Sequence, residues 1–154
     1  MKKYILLFSL GLGSIFCFGQ CPTSQIILTS QADIDNFAVT YPNCTMLTHE
    51  LRVDGEGSNI TNLNGLSPIT DAETIFILSC DIADFSGLHN MLTVLRLSLW
   101  GNPNIQSLEG FTVLQSIGRL EMFINAGVIS LEGLDNIQTI GGLNIFGNLL
   151  LSDI

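Results

Sequence analysis

The sequence predicts a mainly β, stacked-coil repeat fold, a solenoid closed at its N-terminal end by a short helical cap. Three observations predict it. Leu108-Glu109-Gly110-Phe111 returns 23 residues later as Leu131-Glu132-Gly133-Leu134, and the segments that follow each copy return in step. A fixed period of this size marks a stack of equivalent units. The same spacing carries apolar columns back as far as Leu51. The residues before Leu51 fall outside the pattern, as an atypical first unit covering an open end would.

The N-terminus reads as an export signal. Lys2 and Lys3 precede an apolar stretch from Tyr4 to Phe18, and Cys17 and Gly19 give a small-x-small pattern before Gln20. Residues 1–19 are therefore expected to be a signal peptide, cleaved after Gly19 or Gln20. The run is short for a membrane span of ~20 residues, so no membrane span is expected after its removal. Without it, three arginines, Arg52, Arg96 and Arg119, face all 14 acidic residues, for a net charge of −11. That balance argues against a nucleic-acid partner, whose phosphates need a basic face. It fits an exported chain kept apart from its copies by like charge.

The cap is expected over residues 20–50. Gln25 to Thr29 is rich in branched residues and reads as a strand. Ser30-Gln31-Ala32-Asp33 resembles a capping box, and Ile34, Phe37 and Ala38 follow at helical spacing, which predicts a short helix over 31–39. Tyr41-Pro42-Asn43 ends it. Leu47 to Val53 is the next strand, and Asp54-Gly55-Glu56-Gly57 a turn.

Residues 51–154 then fall into units of about 23 residues. Leu51, Ile75, Leu97, Leu120 and Leu143 hold the first strand position. Two residues on stand Val53, Ile77, Leu99, Met122 and Ile145. The alternation at Leu97-Ser98-Leu99 and Leu120-Glu121-Met122 makes this side a parallel strand. Further apolar columns follow from Ile60, Leu63, Leu66, Ile69 and Ala72. Gly65, Gly87, Gly110 and Gly133 mark a tight corner. The last unit stops at Ile154, the first apolar position of another side, so the chain is expected to be truncated or to associate through an open C-terminal end.

One column is polar. Asn102, Asn125 and Asn148 stand five residues past the first strand position, and Cys80 holds that place in the earlier unit. An inward amide at a corner can satisfy backbone groups that no sheet ladder reaches. Leucine-rich repeats carry Asn or Cys at this place, so Cys80 reads as a buried, unpaired ladder residue. Cys21 and Cys44 remain. They bracket the cap, and in an exported chain a disulfide is expected to close it, worth ~3 kcal/mol in the loop-entropy model.

The cap and the coils together resemble the receptor L-domain. The residues that carry the resemblance are Cys21-Pro22, Ile26-Ile27-Leu28 and Cys44-Thr45, followed by coils with Leu-x-Gly-Leu. The chain looks closer still to a secreted bacterial branch, through Gln31 to Phe37, Tyr41 to Thr45 and Ile60 to Leu66. The resemblance covers nearly all of Cys21 to Ile154. It implies a right-handed parallel β-helix of the leucine-rich-repeat-like, L-domain-like kind, and an extracellular, non-catalytic repeat domain. Members of this branch often end in a C-terminal sorting domain, and none is read within these residues. Fold does not fix function, so no hormone ligand follows.

No enzyme signature stands out. His49-Glu50 opens like a zinc-protease motif, but Val53 stands where a second histidine is needed. His89 has no recognisable partner. Asp33, Asp35 and the Asp54–Gly57 turn lack EF-hand spacing. No metal site and no cofactor is expected. Asn43-Cys44-Thr45 and Asn59-Ile60-Thr61 are glycosylation sequons, meaningful only in a eukaryotic secretory host.

The most informative column lies three residues past the first strand position: Leu78, Trp100, Phe123 and Phe146. Alternation points it outward, as an aromatic ladder that could bind a glycan or a protein. Alternatively, the chain bends there and the rings pack inward or on one another. The candidate binding residues are Trp100, Phe123, Phe146, Glu121 and Asn144, with Arg96 and Arg119 beside them. The leading expectation is a secreted or cell-surface, non-catalytic domain for adhesion or recognition. A structural spacer within a larger surface protein is the second reading. A β-helix carbohydrate-active enzyme is the third, disfavoured because Glu121 has only Ser98 and Asn144 as column neighbours.

Overall fold

The computed structural model describes residues 21–152. Residues 1–19, expected to be a signal peptide, lie outside them with Cys17, as does Ile154. The elements run β1 (Ile26–Leu28), α1 (Gln31–Asp35), α2 (Phe37–Thr40), β2 (Met46–Asp54), β3 (Asp71–Leu78), β4 (Thr93–Trp100), β5 (Ser116–Phe123), β6 (Thr139–Ile140) and β7 (Leu143–Phe146), with 3-10 turns at Asn64–Leu66 and Ser86–Leu88. The strands form one parallel sheet in sequence order from β1 to β5, with both β6 and β7 paired to β5.

This corrects the expected fold class. A β-helix has sheets on more than one side. Here the described residues build a single, open, seven-stranded sheet with a few short helical segments, and the sheet does not close. The physical reason lies in the spacing. Only the first two apolar columns alternate with period two, as a strand requires. Leu63, Leu66 and Ile69 recur every three residues, the period of a 3-10 turn. Accordingly the chain opposite the sheet turns at Asn64–Leu66 instead of extending. The predicted single helix is also broken, at Asn36, into α1 and α2.

Local chemistry explains the cap. Ser30 is the N-cap of α1, and its hydroxyl accepts from the Asp33 amide at 3.2 Å. The Asp33 carboxylate in turn accepts from the amide of Thr29, one residue before the N-cap, at 3.0 Å. Hydrogen bonds to that carboxyl, from the Ser30 side chain foremost and then from the Thr29 backbone, hold it below the usual range. Ile34 and Phe37 are buried under this end, and a disulfide joins Cys21 to Cys44.

The sheet's inner face forms the core. Leu51, Ile75, Leu97 and Leu120 pair in register along one row, and Val53, Ile77, Leu99 and Met122 along the next. All eight are buried. Phe85 and Phe111 stack inside at 4.8 Å between ring centroids. The glycine column has a sharper role than corner flexibility. A Cβ on Gly65 would lie 1.8 Å from the Ile34 carbonyl oxygen, and one on Gly87 2.1 Å from the Leu63 carbonyl carbon. Successive passes of the chain approach too closely there for any side chain.

The buried amides complete the interior. Asn102 Oδ1 accepts from the Cys80 amide at 3.0 Å, and its Nδ2 donates to the Ile77 carbonyl at 3.0 Å. Asn125 repeats this with the Asn102 amide at 3.1 Å and the Leu99 carbonyl at 3.0 Å. Asn148 does so with the Asn125 amide at 3.0 Å and the Met122 carbonyl at 2.8 Å. Replacing Asn102 by Ala would strand the Cys80 N–H and the Ile77 C=O in the core. We expect a loss of ~3 kcal/mol from two unpaired buried groups, read as a lower urea midpoint at unchanged slope. A loss below a few tenths would show that the amide ladder is not holding the stack.

Candidate functional site

Parallel pairing without register slips at the ends of the strands lines up the outward residues. One row is Leu78, Trp100 and Phe123, continued by Phe146 on β7. The next is Arg52, Phe76, Ser98, Glu121 and Asn144. A third contains Glu50, Thr74, Arg96 and Arg119. The two alternatives for the aromatic row are resolved in a specific way. Trp100 is 46% exposed and Phe146 68%, while Phe123 is half-buried. Trp100 and Phe123 also lean on each other, at 5.1 Å and 40°. The rings therefore point outward and support one another.

The chain leaves this face through a left-handed corner. Ser79, Gly101, Ile124 and Gly147 all have positive φ directly after the aromatic row. Glycine suits that conformation, and a β-branched residue does not. Ile124, at φ 56°, is the outlier, and it is exposed beside Phe123. Nothing in the sequence pattern flagged this strain.

The polar residues are unevenly satisfied. Arg52 donates to Asp54 through Nε at 3.1 Å and Nη2 at 2.8 Å. That bond holds the Asp54 carboxyl below its usual range. Arg119 reaches Glu121 only at 3.8 Å. Arg96 makes no ion pair or side-chain hydrogen bond among the described residues. Ser98 is 1% exposed, and its hydroxyl has no partner. It lies between Phe76 and Glu121 in its row and two residues from Trp100. Sequence reading placed Ser98 beside Glu121 without its burial and passed over Phe76, although the alternation that exposes Trp100 puts both on the same face.

Cys80 occupies the ladder position on a different footing from the asparagines. Its thiol lies 3.3 Å from the Leu78 carbonyl oxygen, and burial pushes its pKa up to about 11. His89 is engaged locally, with Nδ1 2.7 Å from the Ser86 carbonyl oxygen. His49 contacts the Thr48 hydroxyl. Among the described residues no three His, Cys, Asp or Glu side chains converge as metal ligands would. Two cavities of ≈ 400 Å³ each lie away from the aromatic row. One is lined by Glu109, Glu132 and Asp135, the other by Cys21, Asn43 and Met46.

No family model, no curated protein and no solved structure matches this chain. No helix among the described residues is long and apolar enough to cross a membrane. The disulfide fits an oxidising, extracellular-type compartment.

Two outcomes follow. Iodoacetamide at pH 8 should leave Cys80 unmodified in the native protein and label it in guanidinium, as read from the mass of its peptide. Native labelling would contradict a buried, protonated thiol. Ile124→Gly should raise stability by up to ~1 kcal/mol, since a left-handed L-residue costs ~1–2 kcal/mol and glycine returns part of that as chain entropy. A shifted urea midpoint measures it.

Proposed function

We propose that the chain is an exported, non-catalytic recognition domain, akin to the secreted branch of receptor L-domain proteins, which takes its ligand on the outward face of the sheet. The observation that carries this reading is the outward row of Trp100, Phe123 and Phe146, with Trp100 and Phe146 exposed and Phe123 half-buried. Exposed rings in register, fringed by polar groups, are the ingredients of an interaction surface. The interior is occupied by packing and by satisfied amides, which leaves the outer face as the place for a partner. The working residues are Trp100, Phe123 and Phe146 for contact, with Glu121, Asn144, Arg96 and Arg119 for polar selectivity. Export is part of the same reading: Lys2, Lys3 and the apolar run begin the chain, and Cys21–Cys44 is closed. The ligand class is an extracellular glycan or protein, at a cell surface or in the medium.

Arrays of glycans and of extracellular proteins, probed with wild type and Trp100→Ala, test the reading. Binding should fall about ten-fold or more on losing the ring. An array signal indifferent to Trp100→Ala and Phe146→Ala would remove the sheet face from the function.

A further inference from the structure

Building on the recognition face, we infer that its ligand is a carboxylated oligosaccharide, with sugar rings on Trp100 and Phe123 and a carboxylate at Arg96 and Arg119. The argument starts from charge. The chain carries a net charge of −9, yet all three cationic side chains among the described residues stand on this one face of the sheet. Arg52 is consumed by Asp54. Arg96 and Arg119 are direct neighbours on adjacent strands. Like charges so placed destabilise a sheet, and only Glu121, 3.8 Å from Arg119, offsets the cost. Glu121, at 3.8 Å from Arg119, is too far for a hydrogen bond, and Arg96 has no partner among the described residues. Of the other acids on this face, Asp54 belongs to Arg52, and Glu50 accepts from Gln25. Arg119 also has room to move, because its Cγ and Nε pass over Gly142, 3.9 Å from where a Cβ would be. A guanidinium pair left in this state is suited to a carboxylate, which it can grip bidentately.

The remaining geometry favours a saccharide over a peptide. The outward aromatic row is a single line of rings on the face of the sheet, with Trp100 46% and Phe146 68% exposed and Phe123 half-buried between them. Beside it stand a carboxylate (Glu121), an exposed amide (Asn144) and guanidinium groups, which together accept and donate to hydroxyls. The Ser98 hydroxyl is 1% exposed and unpartnered, set between the arginine row and the aromatic row. An orphan of this kind asks for an explanation, and a ligand hydroxyl that displaces the covering side chains supplies one. Arg96 and Trp100 are four residues apart on β4, or ~13 Å along the strand. An oligosaccharide bridges that span and a single sugar does not.

Trp100 is the only tryptophan in the chain, so its fluorescence reports the site. The folded, exported protein is titrated with hexagalacturonate, neutral maltohexaose and hexaglutamate. The uronate should give a saturable change and bind about ten-fold tighter than either control. Raising salt to half-molar should weaken it several-fold, as screening requires. Arg96→Gln with Arg119→Gln should cost about ten-fold or more in uronate affinity, and bring it down toward that of maltohexaose. Equal binding of maltohexaose, or indifference to the arginine changes, would overturn the anionic inference and leave the recognition face standing. Tighter binding of hexaglutamate would replace the sugar by an acidic peptide. Silence with all three probes would also overturn the inference, and the array comparison with Trp100→Ala would then judge the face separately. The salt series needs no variant, so a misfolded double mutant cannot obscure the result.

Discussion

The structure depends on one repeated exchange. At each corner past the strands, a buried asparagine accepts the backbone N–H of the equivalent residue one pass earlier and donates to a carbonyl three residues before that. Parallel strands that end together leave those groups without a ladder partner, and burying them bare would cost ~1–3 kcal/mol each. The amides remove that cost and fix the register. Asn102 can serve Cys80 and Ile77 together only if β3 and β4 are aligned as observed. The inner apolar rows could tolerate a shift of two residues without changing face. The amides could not.

Fixed register is what turns isolated outward residues into rows. Trp100 meets Phe123 because the interior beneath them is locked, and Arg96 meets Arg119 for the same reason. The left-handed corner is the hinge between the two sides. It carries the chain from an outward ring to an inward amide within two residues: Trp100, Gly101, Asn102, then Phe123, Ile124, Asn125. Where glycine occupies the middle place the turn is unstrained. At Ile124 strain is tolerated, which places an exposed apolar side chain at the margin of the face.

Much of this was legible in the residues, for identifiable reasons. The inward rows and the asparagine column could be read because stacking demands the same residue type in every unit. The Cys21–Cys44 bridge followed once Cys80 had its own place. The closed, many-sided β-helix was misread because a column of apolar residues shows which way a side faces, not what backbone it has. Spacing of three at Leu63, Leu66 and Ile69 was the available signal against extended chain. Ser98 was invisible because its burial on an outward face depends on the sizes of its neighbours in other units. The relative freedom of Arg96 and Arg119 was invisible too, since pairing is a property of distance: Glu121 stands two residues from Arg119 and still lies 3.8 Å from it.

The contrast between the two faces is itself informative. Along one inner row stand Leu, Ile, Leu and Leu; along the outer row above it stand Arg52, Phe76, Ser98, Glu121 and Asn144. The fold dictates the first set and is indifferent to the second, since a small, a charged or an aromatic side chain all fit an outward strand position. Some outward choices even work against the fold, as Arg96 opposite Arg119 does. Variation that stability does not require, and adjacency that stability opposes, belong together on the face that carries the exposed rings. The specificity of this chain is therefore to be sought in the differences between its units, and its stability in what they share.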